Sequence, residues 1–191
     1  TYYYSNTNFL LLGMILESAT GKKLEQIYDE EVFTPLNLES AYYSFDNPIP
    51  EGCAWGYADM YGNGQFVRSD FMYKDELHTA DGGIAINAYD IGTFLEKLMK
   101  GELLSEESLA QMTDWFKIPS GWVDPYYVHS ESGYGIQKFT KEAEYSVGHS
   151  GAITGFSTMA QYFPESDFTY VLLVNSSSYD AEEIEASIYD E

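Results

Sequence analysis

The chain opens on a helical pattern. From Asn8 to Ser18 it reads NFLLLGMILES, apolar on almost every side of a helical wheel. That predicts a buried helix, with Gly21 of Thr20-Gly21 at the C′ position that ends it. KKLEQIYDEEVFTPL follows, its Leu24, Ile27 and Tyr28 on one face, and predicts an amphipathic helix packed on the first and stopped by Pro35. Between 44 and 80 no period survives: Pro48, Pro50, Gly52, Gly56, Gly62 and Gly64 interrupt a run of aromatics, predicting an irregular excursion with short strands. Helical patterning resumes in NAYDIGTFLEKLMKGELLSEESLAQMTDW, where Ile91, Phe94, Leu95 and Leu98 share a face. Gly101 breaks that helix, and Ser105 with Ser108 opens another.

After Pro119 the period shortens. YGIQKFT, EYSVGHS, GFSTMAQYF and FTYVLLVN read as strands separated by turn or polar residues, too closely spaced for the crossover helices of a parallel sheet. They predict an antiparallel meander, closed by a helix over DAEEIEASIYDE with Asp180 as its N-cap. The fold class is therefore α+β: a helical lobe over 1–118 with an irregular insertion at 44–80, then an antiparallel sheet and a C-terminal helix over 119–191.

Charge and cysteine content remove some functions. Against 31 Asp and Glu stand 9 Lys and Arg, a net charge of -22, which disfavours nucleic acid or an anionic membrane as a partner. Cys53 stands alone, so neither an internal disulfide nor a cysteine-based metal cluster is available. No apolar run is long enough for a membrane span. The chain starts at Thr1 rather than methionine and ends at Glu191 within a helical pattern, and the expectation is a fragment of a longer protein.

The stretch VGHSGAITGF, Val147 to Phe156, carries the chemistry. Gly148-His149-Ser150-Gly151-Ala152 approximates the G-x-S-x-G elbow that mounts a nucleophilic serine between a strand and a helix. Two features argue against that use. GFSTMAQYF, which follows, alternates like a strand, and His78, His129 and His149 all precede Ser150. His78 and His129 also lack metal-ligand spacing.

Tyr4-Ser5-Asn6 at the start of the first helix, joined to His149-Ser150-Gly151 on a strand, resembles the paired Y-x-N and K-T-G or H-x-G motifs of the serine β-lactamase and penicillin-binding-protein superfamily. The branch is that of class C β-lactamases, D-alanyl-D-alanine carboxypeptidases and related esterases. The similarity runs through YSNTNFLLLGMILESATGKKLEQIYDEEVFTPLNL, with Asn37 in a glycine's place, through ADGGIAINAYDIGTFLEKL, and on through YGIQ, GHSGAITGF, FPESD and VLLVN in the same order.

The resemblance implies acyl-enzyme chemistry on an amide, ester or β-lactam, with no cofactor or metal and a small-molecule or peptide-like substrate. Tyr4 takes part in proton transfer, as base or as relay to a lysine, because a phenol with a pKa near ~10 needs a neighbouring cation to act alone. Asn6 offers donor and acceptor to the substrate amide, besides a possible N-cap role. His149 stands where many relatives carry lysine and donates to Tyr4 or a substrate carboxylate. Ser150 supports substrate, Gly151 admits a close backbone, and Ala152 lends its N–H to the oxyanion.

The S-x-x-K element that supplies the family's nucleophile is absent: no serine here has lysine three positions later. Two explanations stay open, a hydrolase whose nucleophile lies outside these 191 residues and a non-catalytic domain that binds cell-wall peptide or another ligand. The resemblance also implies an extracytoplasmic setting, in the cell envelope or secreted. It leaves the oligomeric state open.

Overall fold

The computed structural model of the chain describes residues 3–43, 50–69, 80–119, 129–141 and 144–189. Among them the centre is a six-stranded antiparallel sheet in the order β10-β9-β8-β7-β6-β5. The strands are β5 (Phe116–Lys117), β6 (His129–Ser132), β7 (Gln137–Lys141), β8 (Glu144–Ile153), β9 (Phe156–Phe163) and β10 (Phe168–Val174). The four expected strands are β7 to β10, and β6 and β5 extend the meander at one edge. β8 turns through Thr154 and Gly155 directly into β9, so the strand-then-helix setting of a nucleophile elbow does not exist here.

Each face of the sheet is closed by a helix. α4 (Ala88–Met99) lies across β9 and β10. Its Leu95 joins Ile136, Val147, Ala160 and Tyr162 in one core cluster, and Gly92 faces β10, where a Cβ would meet the methyls of Thr169 and Val171 at 3.5 Å, an ordinary van der Waals contact. α6 (Ala181–Tyr189) covers the other face, where Ala181 packs with Phe139 and Met159. β9 is enclosed from both sides. Its buried Gln161 is satisfied by the Ser146 hydroxyl, which donates to Oε1 at 2.8 Å.

Local signals account for the helix ends. The Asn87 side chain accepts from the Asp90 N–H at the start of α4, and the Ser105 hydroxyl accepts from Ser108 N–H at the start of α5 (Glu106–Met112). Buried Asp90 also accepts from the Ser40 N–H and hydroxyl, at 2.7 and 2.6 Å, tying α4 to the segment after the N-terminal helices.

Those N-terminal helices depart from expectation twice. α1 (Asn6–Thr20) ends on Gly21 at φ 68° as its sequence predicts, but it is not a buried helix. Gly13 is its one buried residue, set against Ala80 and Leu24, while Leu11, Met14 and Ile15 are 50%, 60% and 60% exposed. A helix apolar on every side needs cover on every side, and the described residues supply it on one.

The second helix does not stop at Pro35. α2 (Leu24–Tyr28) widens into a π turn over Asp29–Phe33 and re-tightens as α3 (Thr34–Leu36), with Pro35 in its first turn. Proline lacks the N–H of the regular ladder and crowds the carbonyl four residues back, and the wider register relieves both demands. The stop is Asn37 at φ 57°, in the left-handed region that glycine or asparagine tolerates.

Within the irregular stretch, β1 (Tyr42–Tyr43) pairs with β4 (Ile84–Ala85), and β2 (Tyr57–Ala58) with β3 (Val67–Arg68). The β2–β3 ribbon docks on the main sheet. Tyr57 N–H donates to the Asn175 carbonyl at 3.1 Å, and the fully buried Ser69 hydroxyl donates to the Thr154 carbonyl at 3.2 Å. His78 lies outside the described residues.

Candidate active site

The site is built where β7 starts too late to cover β8. β7 pairs with Glu144 to Gly148 only, so among the described residues the stretch from His149 to Ile153 is paired on its β9 side and open on the other. In an antiparallel ladder successive residues aim their N–H and C=O to opposite sides. The Ser150 N–H points to the open side, where the buried Gln137 Oε1 receives it at 3.5 Å, and Ala152 two residues on aims its N–H and C=O the same way. Among the described residues the open edge thus presents an unpaired peptide at Ala152. Glycine is required just below it: a Cβ on Gly148 would overlap the Ala160 carbonyl, whereas one on Gly151 would meet only the Thr158 hydroxyl, at 2.8 Å.

α1 delivers its first residues to this edge. Phe9 lies against the Gly135 turn that leads into β7, within 3.7 Å of where a Cβ on Gly135 would stand. Tyr4 then sits over Phe9, ring centroids 5.7 Å apart, and beside His149, centroids 5.9 Å apart at 47°. Two residues 145 positions apart in sequence are neighbours because the β6–β7 turn seats the helix. Asn6 is the first residue of α1 and exposed. The N-cap position belongs to Ser5, so the capping role expected of Asn6 is not the one it has; its side-chain amide makes no hydrogen bond among the described residues.

Strand alternation divides the motif. His149 is opposite Ala160, on the face that packs against α4, and Tyr4 shares its side of the sheet. Ser150 is opposite Met159, on the face covered by α6. The arrangement sets Tyr4 beside His149 on the strand that carries the Ala152 peptide, with Asn6 two residues beyond Tyr4 at the start of α1. It sends the side chains of Ser150 and Ala152 to the other face, leaving their peptides at the edge.

His149 differs most from its sequence expectation. Its Nδ1 is 2.5 Å from the carbonyl oxygen of Ser150. A carbonyl offers only lone pairs, so Nδ1 must carry the proton. Burial pushes the imidazole below its ordinary value of 6.5, with the Ser150 carbonyl pulling weakly the other way, and the ring is neutral near pH 7. A neutral imidazole has one N–H, already given to the strand. Nε2 is therefore an acceptor, and His149 does not donate to Tyr4 or to a carboxylate as expected.

Gln137 was not singled out by sequence reasoning. The available signal was a polar residue in the middle of the strand-like YGIQKFT. Among the described residues no group of three or more His, Cys, Asp or Glu could hold a metal ion, and no helix is long and apolar enough to cross a membrane. His129 lies on β6 opposite Phe139, away from this edge.

The family model described as Beta-lactamase matches residues 1–190. A D-aminopeptidase of Cereibacter sphaeroides is 25% identical over 177 residues, which cover 91% of this chain and 32% of that protein. Of the solved structures, the D-amino acid amidase from Ochrobactrum anthropi SV3 complexed with D-phenylalanine is 26% identical with a TM-score of 0.80, covering 92% of this chain and 52% of that one. A D-stereospecific amidohydrolase from Streptomyces sp. has a TM-score of 0.82 at 24% identity, a likeness of fold, and covers 100% and 56%. The chain spans about a third of the D-aminopeptidase and about half of each solved structure.

Proposed function

The chain belongs to the beta-lactamase family, and we propose that it forms the Y-x-N and H-x-G walls of a serine hydrolase that cleaves amide bonds next to a D-configured amino acid. The supporting observation is the meeting of Tyr4 with His149 at the unpaired edge of β8, where a backbone N–H stands open at Ala152. The names of the relatives, D-aminopeptidase and D-amino acid amidase, support the substrate class.

In this reading a serine outside the 191 residues attacks the amide carbonyl. Tyr4 passes the serine proton towards the leaving amine, and the Ala152 N–H stabilises the oxyanion together with a second donor. The amine departs with the proton, and water then cleaves the acyl-serine, releasing the acid and restoring the serine. Asn6 holds the substrate amide. The uncovered apolar sides of α1 support a nucleophile-bearing part of the same fold packing there. An extracytoplasmic location goes with such envelope-type substrates.

The test is active-site labelling of the longest native polypeptide that contains this chain. A fluorophosphonate should attach to a serine outside residues 1–191, and D-phenylalanine amide should be hydrolysed. Label on Ser150 would overturn the assignment of roles. Ligand binding with neither label nor turnover would make the protein a binding domain.

A further inference from the structure

An extended chain added to a sheet edge pairs through every second residue of that edge. On the open side of β8 the rung at Ala152 is unpaired among the described residues, while side chains occupy the positions on either side of it. At Ser150 the N–H donates to Gln137 Oε1 at 3.5 Å, and the carbonyl accepts from His149 Nδ1 at 2.5 Å. At the other end β8 stops at Ile153, and the Thr154 carbonyl accepts from the buried Ser69 hydroxyl at 3.2 Å. The position of Gln137 follows from its register. It is the first residue of β7 and stands opposite Gly148, and with no side chain there its buried amide reaches one rung further along β8.

We propose that this edge is a slot of one rung, and that Gln137 is the residue that stops main-chain pairing on the leaving-group side of a peptide substrate. The side follows from the role proposed for Tyr4. Tyr4 stands beside His149, so the leaving amine that takes its proton lies towards Ser150, and the substrate residue two positions beyond the attacked one comes to face the Ser150 peptide. The carbonyl of that residue finds its donor already engaged, because Gln137 holds the Ser150 N–H. A substrate carbonyl could take the place of Gln137 only by leaving a buried amide oxygen without a donor, which cancels the gain. The cleft therefore grips the main chain of one residue at Ala152 and gains nothing from peptide further along the leaving side. Gln137 does not touch the reacting atoms; it sets specificity for length through the Ser150 peptide.

This proposal rests on the reading that the α1–β8 edge is the substrate cleft of a hydrolase. Its kinetic test compares D-phenylalanyl-glycinamide with D-phenylalanyl-triglycinamide, which share a scissile bond, in the longest native polypeptide containing the chain. Their kcat/KM values should agree within about twofold in the parent, and Gln137→Ala should favour the longer peptide by roughly threefold to tenfold, the worth of one hydrogen bond. A parent that prefers the longer peptide by more than about twofold, or a ratio unmoved by the substitution, would overturn the proposal. Amide hydrogen exchange, followed in nitrogen–proton spectra, tests the geometry without turnover and needs only the parent. With no peptide bound, the Ser150 N–H should exchange about tenfold or more slowly than the Ala152 N–H, and Gln137→Ala should remove that difference. Ser150 exchanging as fast as Ala152 in the parent would also overturn the proposal. Hydrolysis of neither peptide, with Ser150 protected and Ala152 not, would sink the hydrolase reading and leave the single open rung standing.

Discussion

Gly148→Ala should be far more damaging than Gly151→Ala, although both glycines sit in the same motif. A Cβ on Gly148 would overlap the Ala160 carbonyl and lie 2.9 Å from its carbon and 3.0 Å from the Gln161 Cα. All three are backbone atoms of β9, which is paired on both sides, to β8 and to β10, and enclosed by α4 and α6. No rotamer change relieves such a contact, so two paired strands must part. Overpacking of a rigid site costs roughly 1–3 kcal/mol, and backbone on both sides of the clash puts this case at the upper end. For a chain of this size about 3 kcal/mol corresponds to a Tm lower by about 6–12 °C.

At Gly151 the near atom is the Thr158 hydroxyl, which can rotate away at the loss of its 3.3 Å bond to the Gly151 carbonyl. That substitution should cost less than about 1.5 kcal/mol, the usual ceiling for a single neutral hydrogen bond. Thermal unfolding followed by circular dichroism compares the two directly. A Gly148→Ala protein that melts within about 1 °C of the parent, or below which Gly151→Ala falls, would refute the β8–β9 spacing on which the site geometry depends.

Three further outcomes follow from the site and its flanks. Because burial lowers the His149 pKa, the unfolded chain takes up that proton first as pH falls below 6.5; the contribution is full above 6.5 and is lost as pH drops through the lowered native value. Urea unfolding across pH should therefore show the parent losing stability relative to His149→Gln below pH 6.5, with parallel curves above it. Tyr4→Phe in the catalytically complete polypeptide should slow acylation by about 10²-fold while leaving the Tm in place, since the ring keeps its contacts with Phe9 and His149; stopped-flow burst kinetics reads the rate. Replacing Leu11 and Ile15 together by glutamine, both half or more exposed on one side of α1, should reduce dye binding to exposed apolar surface and self-association of this chain, with a stability change within about 1 kcal/mol. A larger loss would mean that the helix is packed after all.

The legible parts of this molecule are those where a local rule and the tertiary setting agree. Gly21, Ser105 and Gly101 mark helix ends in sequence and are found at helix ends, because caps and left-handed turns are decided within a few residues. The strand alternation of β7 to β10 was equally plain. Pro35 does not end its helix because the proline rule assumes a regular ladder, and the π turn over Asp29–Phe33 suspends it. The exposure of α1 has a different reason: its composition calls for cover on every side, and the described residues cover it on one.

The site shows the same division. Motif order pairs Tyr4 and Asn6 with His149 in the sequence; the structure sets Tyr4 beside His149, and the physical link is Phe9 on the Gly135 turn, two residues with no chemistry of their own. The protonation pattern of His149 could not be read from residue types at all, because it depends on the distance from Nδ1 to the carbonyl of the next residue. Lysine at that position carries three donors and no lone pair to offer. Histidine with its one proton spent on the strand is the opposite, an acceptor in the same place. The exchange from lysine to histidine is therefore more than a weakening of positive charge: by engaging the Ser150 carbonyl it also withdraws a strand acceptor that an extended substrate would otherwise pair with, and leaves the Ala152 peptide as the first unpaired group on the edge among the described residues.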